Sequence, residues 1–479
     1  MKWETVIGIE IHAELKTKSK IFCGCPTDFG GDVNKQTCPI CLGLPGSLPR
    51  LNKEVVNLAI KAGLALNCKI NNVSKMDRKN YFYADLPKAY QISQYDYPVC
   101  TGGYVDIDLD GEKKRIRINR IHIEEDPGKL IHLQDEPFTL VDYNRSGVAL
   151  IEIVTEADLR SPLEAVQYAK TIKSILEYEN ISDCRMEEGS LRCDANISIR
   201  EHGDARLNTK VELKNINSFK ELQKALEKEE SRQRELYDFN ESYKVIQETR
   251  RWDSSKGRTI SMRKKEDAHD YRYFAEPDIP KLVVDDETIR QIEETLTELP
   301  SDKKARFIED YKLTEKEAEI LVGEKSLADY FEEVIKFGLS PKLIANWVLG
   351  DLMKLLKVQD TNIGSIPIKA QDISELLKLI EKGDISGKIA KDVLEEMFNT
   401  GKEPTIIIEE KGLKQISQGN VLEVIVDTVL EGNIKSIEDY KAGKEQALTF
   451  LMGQVMKETK GQANPVMAKE MLLNKIKIV

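Results

Sequence analysis

Four segments of the chain alternate polar and apolar residues with a period of two. Residues 7–15 put Glu10, His12 and Glu14 on one side and Ile9, Ile11 and Ala13 on the other. Residues 116–126 set His122 and Glu124 against Ile121 and Ile123. Residues 191–200 set Arg192, Asp194, Asn196 and Ser198 against Leu191, Cys193, Ala195, Ile197 and Ile199, and residues 210–214 set Glu212 and Lys214 against Val211 and Leu213. Side chains of a strand alternate faces, so these segments predict a sheet with one oily and one charged face. A sheet wetted on one side accounts for any one of them. Acids recurring on all four, with a His, an Arg and an Asn among them, also suit a site for a divalent cation and phosphate, because Mg²⁺ takes carboxylate oxygens and leaves positions for phosphate.

Helical periodicity marks residues 53–66 and 162–179 within an otherwise strand-rich first part. After Pro277-Asp278-Ile279-Pro280 the pattern turns to helix after helix. Thr314 and Glu317 read as a capping box, Ser340-Pro341 as an N-cap and N1 proline ahead of a helix over 343–356, and Gly383 as the residue after a helix over 373–380. Thr400-Gly401-Lys402-Glu403-Pro404 reads as a hinge before short helices joined by Gly-containing turns. A chain of 479 residues calls for about three domains. The expected division is an α+β domain over 1–292, an all-α domain over 293–406 and a small helical tail over 407–479.

A formal net charge of −11 argues against a general nucleic-acid coat but leaves room for a local basic surface. From 441 onward seven lysines face three glutamates. Among them Lys441, Lys444, Lys457 and Lys460 are expected to meet a phosphate backbone, the last two just before the polar turn Gly461-Gln462-Ala463-Asn464-Pro465. A solvated helix face accounts for the charge equally well. No apolar run of about 18 residues appears, which predicts no membrane span. The opening Met1-Lys2-Trp3-Glu4-Thr5 offers no apolar signal core, and the protein is expected in the cytoplasm. Of eight cysteines, Cys23, Cys25, Cys38 and Cys41 cluster as two pairs on turns, the spacing of a closed structural Zn²⁺ site, with reduced thiols or an iron-sulfur cluster as alternatives.

Several strings are more specific. They include Ile7-Gly8-Ile9-Glu10-Ile11-His12-Ala13-Glu14-Leu15, Asp77-Arg78-Lys79-Asn80-Tyr81-Phe82-Tyr83, Leu86-Pro87-Lys88-Ala89-Tyr90-Gln91, Ile121-His122-Ile123-Glu124-Glu125-Asp126-Pro127-Gly128, Arg192-Cys193-Asp194-Ala195-Asn196, Val211-Glu212-Leu213-Lys214-Asn215 and Asp270-Tyr271-Arg272-Tyr273-Phe274. Together they resemble the B subunit of the tRNA-dependent aspartyl/glutamyl amidotransferase, essentially end to end. That resemblance implies a glutamine synthetase-like catalytic cradle with an antiparallel sheet, then a helical domain and a YqeY-like tail that grips tRNA. It implies ATP- and Mg²⁺-dependent phosphorylation of the side-chain carboxylate of glutamate or aspartate misattached to tRNA(Gln) or tRNA(Asn). Ammonia from a glutaminase (A) subunit, in a heterotrimer with a small C subunit, then displaces phosphate. The departures are Ala84 and Ala275 in place of usual prolines and Ala89 where glycine is frequent.

The residues suit such chemistry. Phosphoryl transfer needs cations on the phosphates and positive groups on the transferring oxygens. Glu10, Glu124, Glu125, Asp194 and Glu212 are the candidate Mg²⁺ ligands, with His12 as a nitrogen ligand or a hydrogen-bonded neighbour. Arg192, Lys214 and Lys79 are candidates for the phosphate or substrate carboxylate, with Arg192, Asn196 and Lys214 for the nucleotide. Glu125 points away from Glu124 in an ideal strand unless Pro127-Gly128 twists its end, and Lys79 also fits as a stem packed over Tyr81. No amidase-type Gly-Ser-rich stretch or paired Cys-His nucleophile is legible, so ammonia should come from a partner. A free-standing ligase for a small carboxylic acid and a zinc-stapled tRNA-binding scaffold remain as rivals.

Overall fold

The computed structural model describes all residues except 1, 110, 134–135, 265–270, 414–418, 460–462, 464 and 479. Residues up to Leu299 form one compact unit and those from Pro300 another.

The first unit is built on a ten-stranded sheet. Its strands are β1 (Trp3–Glu14), β2 (Lys69–Ile70), β3 (Cys100–Thr101), β4 (Tyr104–Leu109), β5 (Glu112–Glu125), β6 (Ala149–Thr155), β7 (Leu191–Glu201), β8 (Val211–Lys214), β9 (Glu248–Asp253) and β10 (Arg258–Lys264). The order is β10-β9-β8-β7-β1-β6-β5-β3-β2, with β4 also paired to β5. All pairs are antiparallel except β8 with β9. The oily face carries Ile9, Ile11, Ile123, Ile151 and Ala195 into one core with α1 (Lys53–Ala65), α2 (Pro162–Tyr178) and α3 (Phe219–Asp238). Burying each large aliphatic side chain contributes roughly 1.5–3 kcal/mol, so this face fixes the register and leaves the other face free for charge. Each helix starts where its sequence dictates: the side chains of Asn52, Ser161 and Ser218 accept from the backbone N–H of Glu54, Glu164 and Glu221.

One departure from ideal alternation matters. The pairing of β5 with β6 shifts between Val154 and Thr155, where Arg120 and Ile118 are their partners. This bulge at Asn119 lets Ile116 and Ile118 share the buried face with Ile121 and Ile123 although their spacing changes parity.

The second unit is helical and holds two apolar cores. One joins Phe307 through Ile408, including Phe331, Trp347, Leu377 and Leu394; the other joins Leu422, Val426, Leu451, Val455 and Leu472. Helix Pro404–Lys411 buries Ile407 and Ile408 in the first of these, so it packs with the helices before it. The Thr314–Glu317 capping box forms, and Gly383 takes φ +73° just beyond helix Ala370–Glu381. The helix expected over 343–356 is interrupted: Pro341–Trp347 passes into a wider π-type turn at Val348–Leu352 before Met353–Val358, and the side chain of Ser340 makes no cap.

Candidate active site

The polar face brings together side chains from five neighbouring strands. His12 on β1 lies opposite Glu152 on β6, which lies opposite His122 on β5. One step along β1, Glu10 lies opposite Asp194 on β7, and β8 adds Glu212 and Lys214. Two clusters result. Ligand-capable atoms of His12, Glu124 and Glu152 lie within 4.8 Å of one another, and so do those of Glu10, Asp194 and Glu212.

Their charges are balanced differently. His12 Nε2 is 3.6 Å from Glu124 and 3.4 Å from Glu152, and His122 Nε2 is 3.1 Å from Glu152. Burial works against a charged His12, but the hydrogen bond to Glu152 and the charges of Glu124, Glu152 and Asp194 outweigh it and raise its pKa to about 9. Burial likewise works against an ionised Glu152, and the two histidines reverse that, holding its carboxyl well below the usual range. In the second cluster Lys214 Nζ sits 2.7 Å from Asp194 and 3.1 Å from Glu212. Asn196 donates to Glu10 at 2.8 Å and Thr249 to Glu212 at 2.7 Å. Burial, together with repulsion from Glu152, raises the pKa of Glu10 despite Lys214. Five carboxylates thus share one face, and their oxygens, with one imidazole, are the donor set of a hard divalent cation.

Of three other expected site residues, Glu125 lies on the far side of the sheet, while Arg192, opposite His12, and Lys79 border the polar face. Glu125 falls on the opposite side of β5 from Glu124, as strand alternation dictates. There it is buried, gripped by Lys88 Nζ at 2.6 Å and by the Ile92 N–H at 2.8 Å, so it is not a ligand of the first cluster. Lys79 lies over the rings of Tyr271 and Tyr81 at 5.1 and 5.8 Å. Burial and the nearby Glu124 raise the pKa of both Tyr81 and Tyr273, which places these rings beside the first cluster. Arg192 is tied to the buried Asp126 and the Gly189 carbonyl while staying partly open to solvent. Ala89, where glycine is frequent in the resembling family, holds φ +62°, the left-handed region that glycine enters without strain.

The cysteines fit a metal as well. The sulfurs of Cys23, Cys25, Cys38 and Cys41 all lie within 4.8 Å of one another, and none forms a disulfide. A tetrahedral zinc with Zn–S bonds of about 2.3 Å needs such proximity. Hydrogen bonding from Cys23 lowers Cys41 to about 4, while burial raises Cys25 to about 11. Fully buried Lys20 stands 3.7 Å from Cys41 Sγ and supplies positive charge to the group.

Comparison with known proteins decides the family. The GatB/GatE catalytic domain matches residues 5–290 and the GatB domain residues 329–476. An aspartyl/glutamyl-tRNA(Asn/Gln) amidotransferase B subunit of Clostridium acetobutylicum is 59% identical over 98% of this chain and 99% of its own length. The corresponding B subunits of Clostridium beijerinckii and Carboxydothermus hydrogenoformans are 58% and 56% identical, each over 99% of both chains. The chain belongs to the GatB family. Its N-terminal unit is a mixed α/β domain and its C-terminal part helical, as that membership requires. Among the described residues no helix of this GatB-family chain is long and apolar enough to cross a membrane.

Two residues of the first cluster and its surroundings are missing from the site set expected from the sequence. Glu152 sits in Ala149–Thr155, a strand buried almost throughout, and reads as core; a lone acid in such a strand is the signal there to use. His122 falls on the polar face by alternation, but nothing local joins it to the site. In the tail, Lys441 ends helix Ile434–Lys441, Lys457 lies near the end of helix Gln446–Glu458 and Lys444 pairs with Asp439 at 2.8 Å. Lys460, most of the turn after it and Asp270 lie outside the described residues.

Proposed function

We propose that this chain activates the side-chain carboxylate of glutamate or aspartate misattached to tRNA(Gln) or tRNA(Asn), as the B subunit of an aspartyl/glutamyl-tRNA amidotransferase. The observation that carries this reading is the pair of acidic clusters set side by side on one rigid sheet face. His12, Glu124 and Glu152 would hold one Mg²⁺, and Glu10, Asp194 and Glu212 a second. Such ions would offset the negative charge of the phosphate oxygens. Lys214 and Arg192 stand ready for the transferred phosphoryl group or the nucleotide, Asn196 orients Glu10, and the ring-bounded Lys79 faces the acyl end.

The balance of atoms is simple. An oxygen of the substrate carboxylate attacks the γ-phosphorus of ATP and ADP leaves. Ammonia attacks the resulting acyl phosphate, and inorganic phosphate leaves with the carboxylate oxygen. Ammonia would come from a glutaminase (A) subunit, in a cytoplasmic heterotrimer completed by a small C subunit. The cysteine group would hold a structural Zn²⁺ that staples its loop to the sheet. The architecture proposed for 1–292 is a glutamine synthetase-like cradle, with 407–479 as a YqeY-like tail contacting tRNA through Lys441, Lys444, Lys457 and Lys460.

The test uses the assembled enzyme with ATP, Mg²⁺, ammonium and Glu-tRNA(Gln) or Asp-tRNA(Asn). Phosphate release is expected to require the mischarged tRNA and to fall at least about 100-fold in a folded Glu10→Ala protein. Release that responds to free glutamate and ignores tRNA would make the chain a small-molecule ligase. No release with all partners present would leave a scaffold.

A further inference from the structure

Helix α3 carries its cations in two groups with different surroundings. In its C-terminal half Arg232 and Arg234 are bound to Glu229 and Glu230. In its first half Lys220, Lys224 and Lys228 recur at intervals of four, about 6 Å apart along one helix face at 1.5 Å per residue. Among the described residues none of these three has a carboxylate partner. All three line a single groove of about 560 Å³ between α3 and the β9–β10 hairpin, with Trp252, Ser254 and Gly257 on its other side. The acids of the groove are already engaged: Glu221 accepts from the Asn217 N–H at 3.0 Å and Glu227 from Gln223 at 2.8 Å.

Two further facts point to an anion. Trp252 is 3% exposed, and its indole N–H has no acceptor in the structure. Lys220 lies in the first turn of the helix, where a cation is opposed by the helix dipole, so this placement does not serve folding. The same helix end favours phosphate. The hairpin tip is fixed by Asp253, which accepts from Ser255 at 2.6 Å and from the Lys256 N–H at 3.1 Å, and it adds exposed Arg258.

We infer that the groove between α3 and the β9–β10 hairpin is a docking surface for consecutive phosphates of an RNA strand. The lysine step is close to that from one phosphate to the next along a strand, and charge complementarity selects the occupant. The inference rests on the tRNA reading of the active site and adds a contact on the helix-covered side of the sheet, remote from the acidic face. These contacts position without reading bases, so they raise affinity and its salt dependence and leave the chemical step alone.

The test is filter binding of the assembled enzyme to its tRNA across a salt series, wild type against the triple variant Lys220→Gln, Lys224→Gln, Lys228→Gln. All three side chains are exposed, so the variant is expected to fold. The slope of log Kd against log salt should fall by about 2, at roughly 0.7 per lost phosphate contact. KM for tRNA should rise with kcat unchanged. An unchanged slope and KM in a variant whose wild type binds tRNA would overturn the inference while leaving the active-site reading intact. Failure of the variant to assemble with its partner subunits, at unchanged RNA affinity, would assign the groove to a protein instead. A wild-type enzyme that does not bind tRNA would remove both.

Discussion

The two acidic clusters occupy neighbouring positions on one face of one sheet, yet they manage their charge by different means. Around Glu124 and Glu152 the compensating groups are His12 and His122, held on the strands themselves and short of reach. Around Glu10, Asp194 and Glu212 it is the ammonium of Lys214, on a long flexible stem whose side chain is 42% exposed. A histidine can release its proton and then coordinate an ion beside the carboxylates it had compensated. A lysine cannot coordinate while protonated, and the charges of Asp194 and Glu212 outweigh its burial and keep it protonated. In the first cluster an ion would meet donors that can all coordinate, whereas in the second it would compete with Lys214 for Asp194 and Glu212.

The largest consequence concerns the first cluster. Glu152→Ala is expected to lower tRNA-dependent phosphate release by about 100-fold or more, with an unchanged circular dichroism spectrum, because it takes an oxygen from between both histidines. Wild-type rates in that variant would remove Glu152 from the site. The second cluster should respond in the opposite sense to metal. Lys214→Gln frees Asp194 and Glu212 of their fixed cation, so the Mg²⁺ concentration for half-maximal activity should drop several-fold even as kcat falls. An unchanged or higher Mg²⁺ requirement would show that Lys214 does not compete with the ion.

The cysteine group provides the structural counterpart, with its donors closed around one point and no substrate in view. Cys38→Ser should abolish bound zinc by elemental analysis and lower Tm by several degrees, with the loss of about 2–3 kcal/mol. Intact phosphate release below that Tm would separate stapling from catalysis. The smallest effect lies in the helical unit, where an acid is held by a lysine in the open. Glu317 is bound by Lys342 and by the Thr314 cap, which bring its pKa down to about 2. A depressed carboxylate adds stability above its unfolded pKa near 4.5 and loses it as pH falls toward 2. Thr314→Ala should lower the stability of that unit by about 1 kcal/mol at pH 7, measured by denaturant unfolding, and by less at pH 3.

Alternation is legible wherever a strand has one wet face: Glu10, His12, Glu124, Asp194 and Glu212 all follow from it and do converge. The pairing of these five into two clusters depends on strand order, with β1 between β6 and β7, and no local pattern carries that. Glu152 is hidden because β6 is buried on both faces and shows no alternation. Glu125 enters the expected metal set through its neighbour Glu124, and the structure removes it; period two alone separates them, and its true partners, Lys88 and the Ile92 N–H, come from a turn and the short strand Tyr90–Ser93, far in sequence. The bulge at Asn119 shows the same limit, since a parity change inside β5 becomes visible only against its partner.

The most direct measurement follows one atom. Glu-tRNA(Gln) carrying ¹⁸O in the side-chain carboxylate would be converted by the assembled enzyme with ATP and ammonium, and the released phosphate analysed by mass. Phosphorylation of the carboxylate on the acidic face requires one ¹⁸O in each phosphate formed with amide. Phosphate free of ¹⁸O while Gln-tRNA(Gln) accumulates would contradict it.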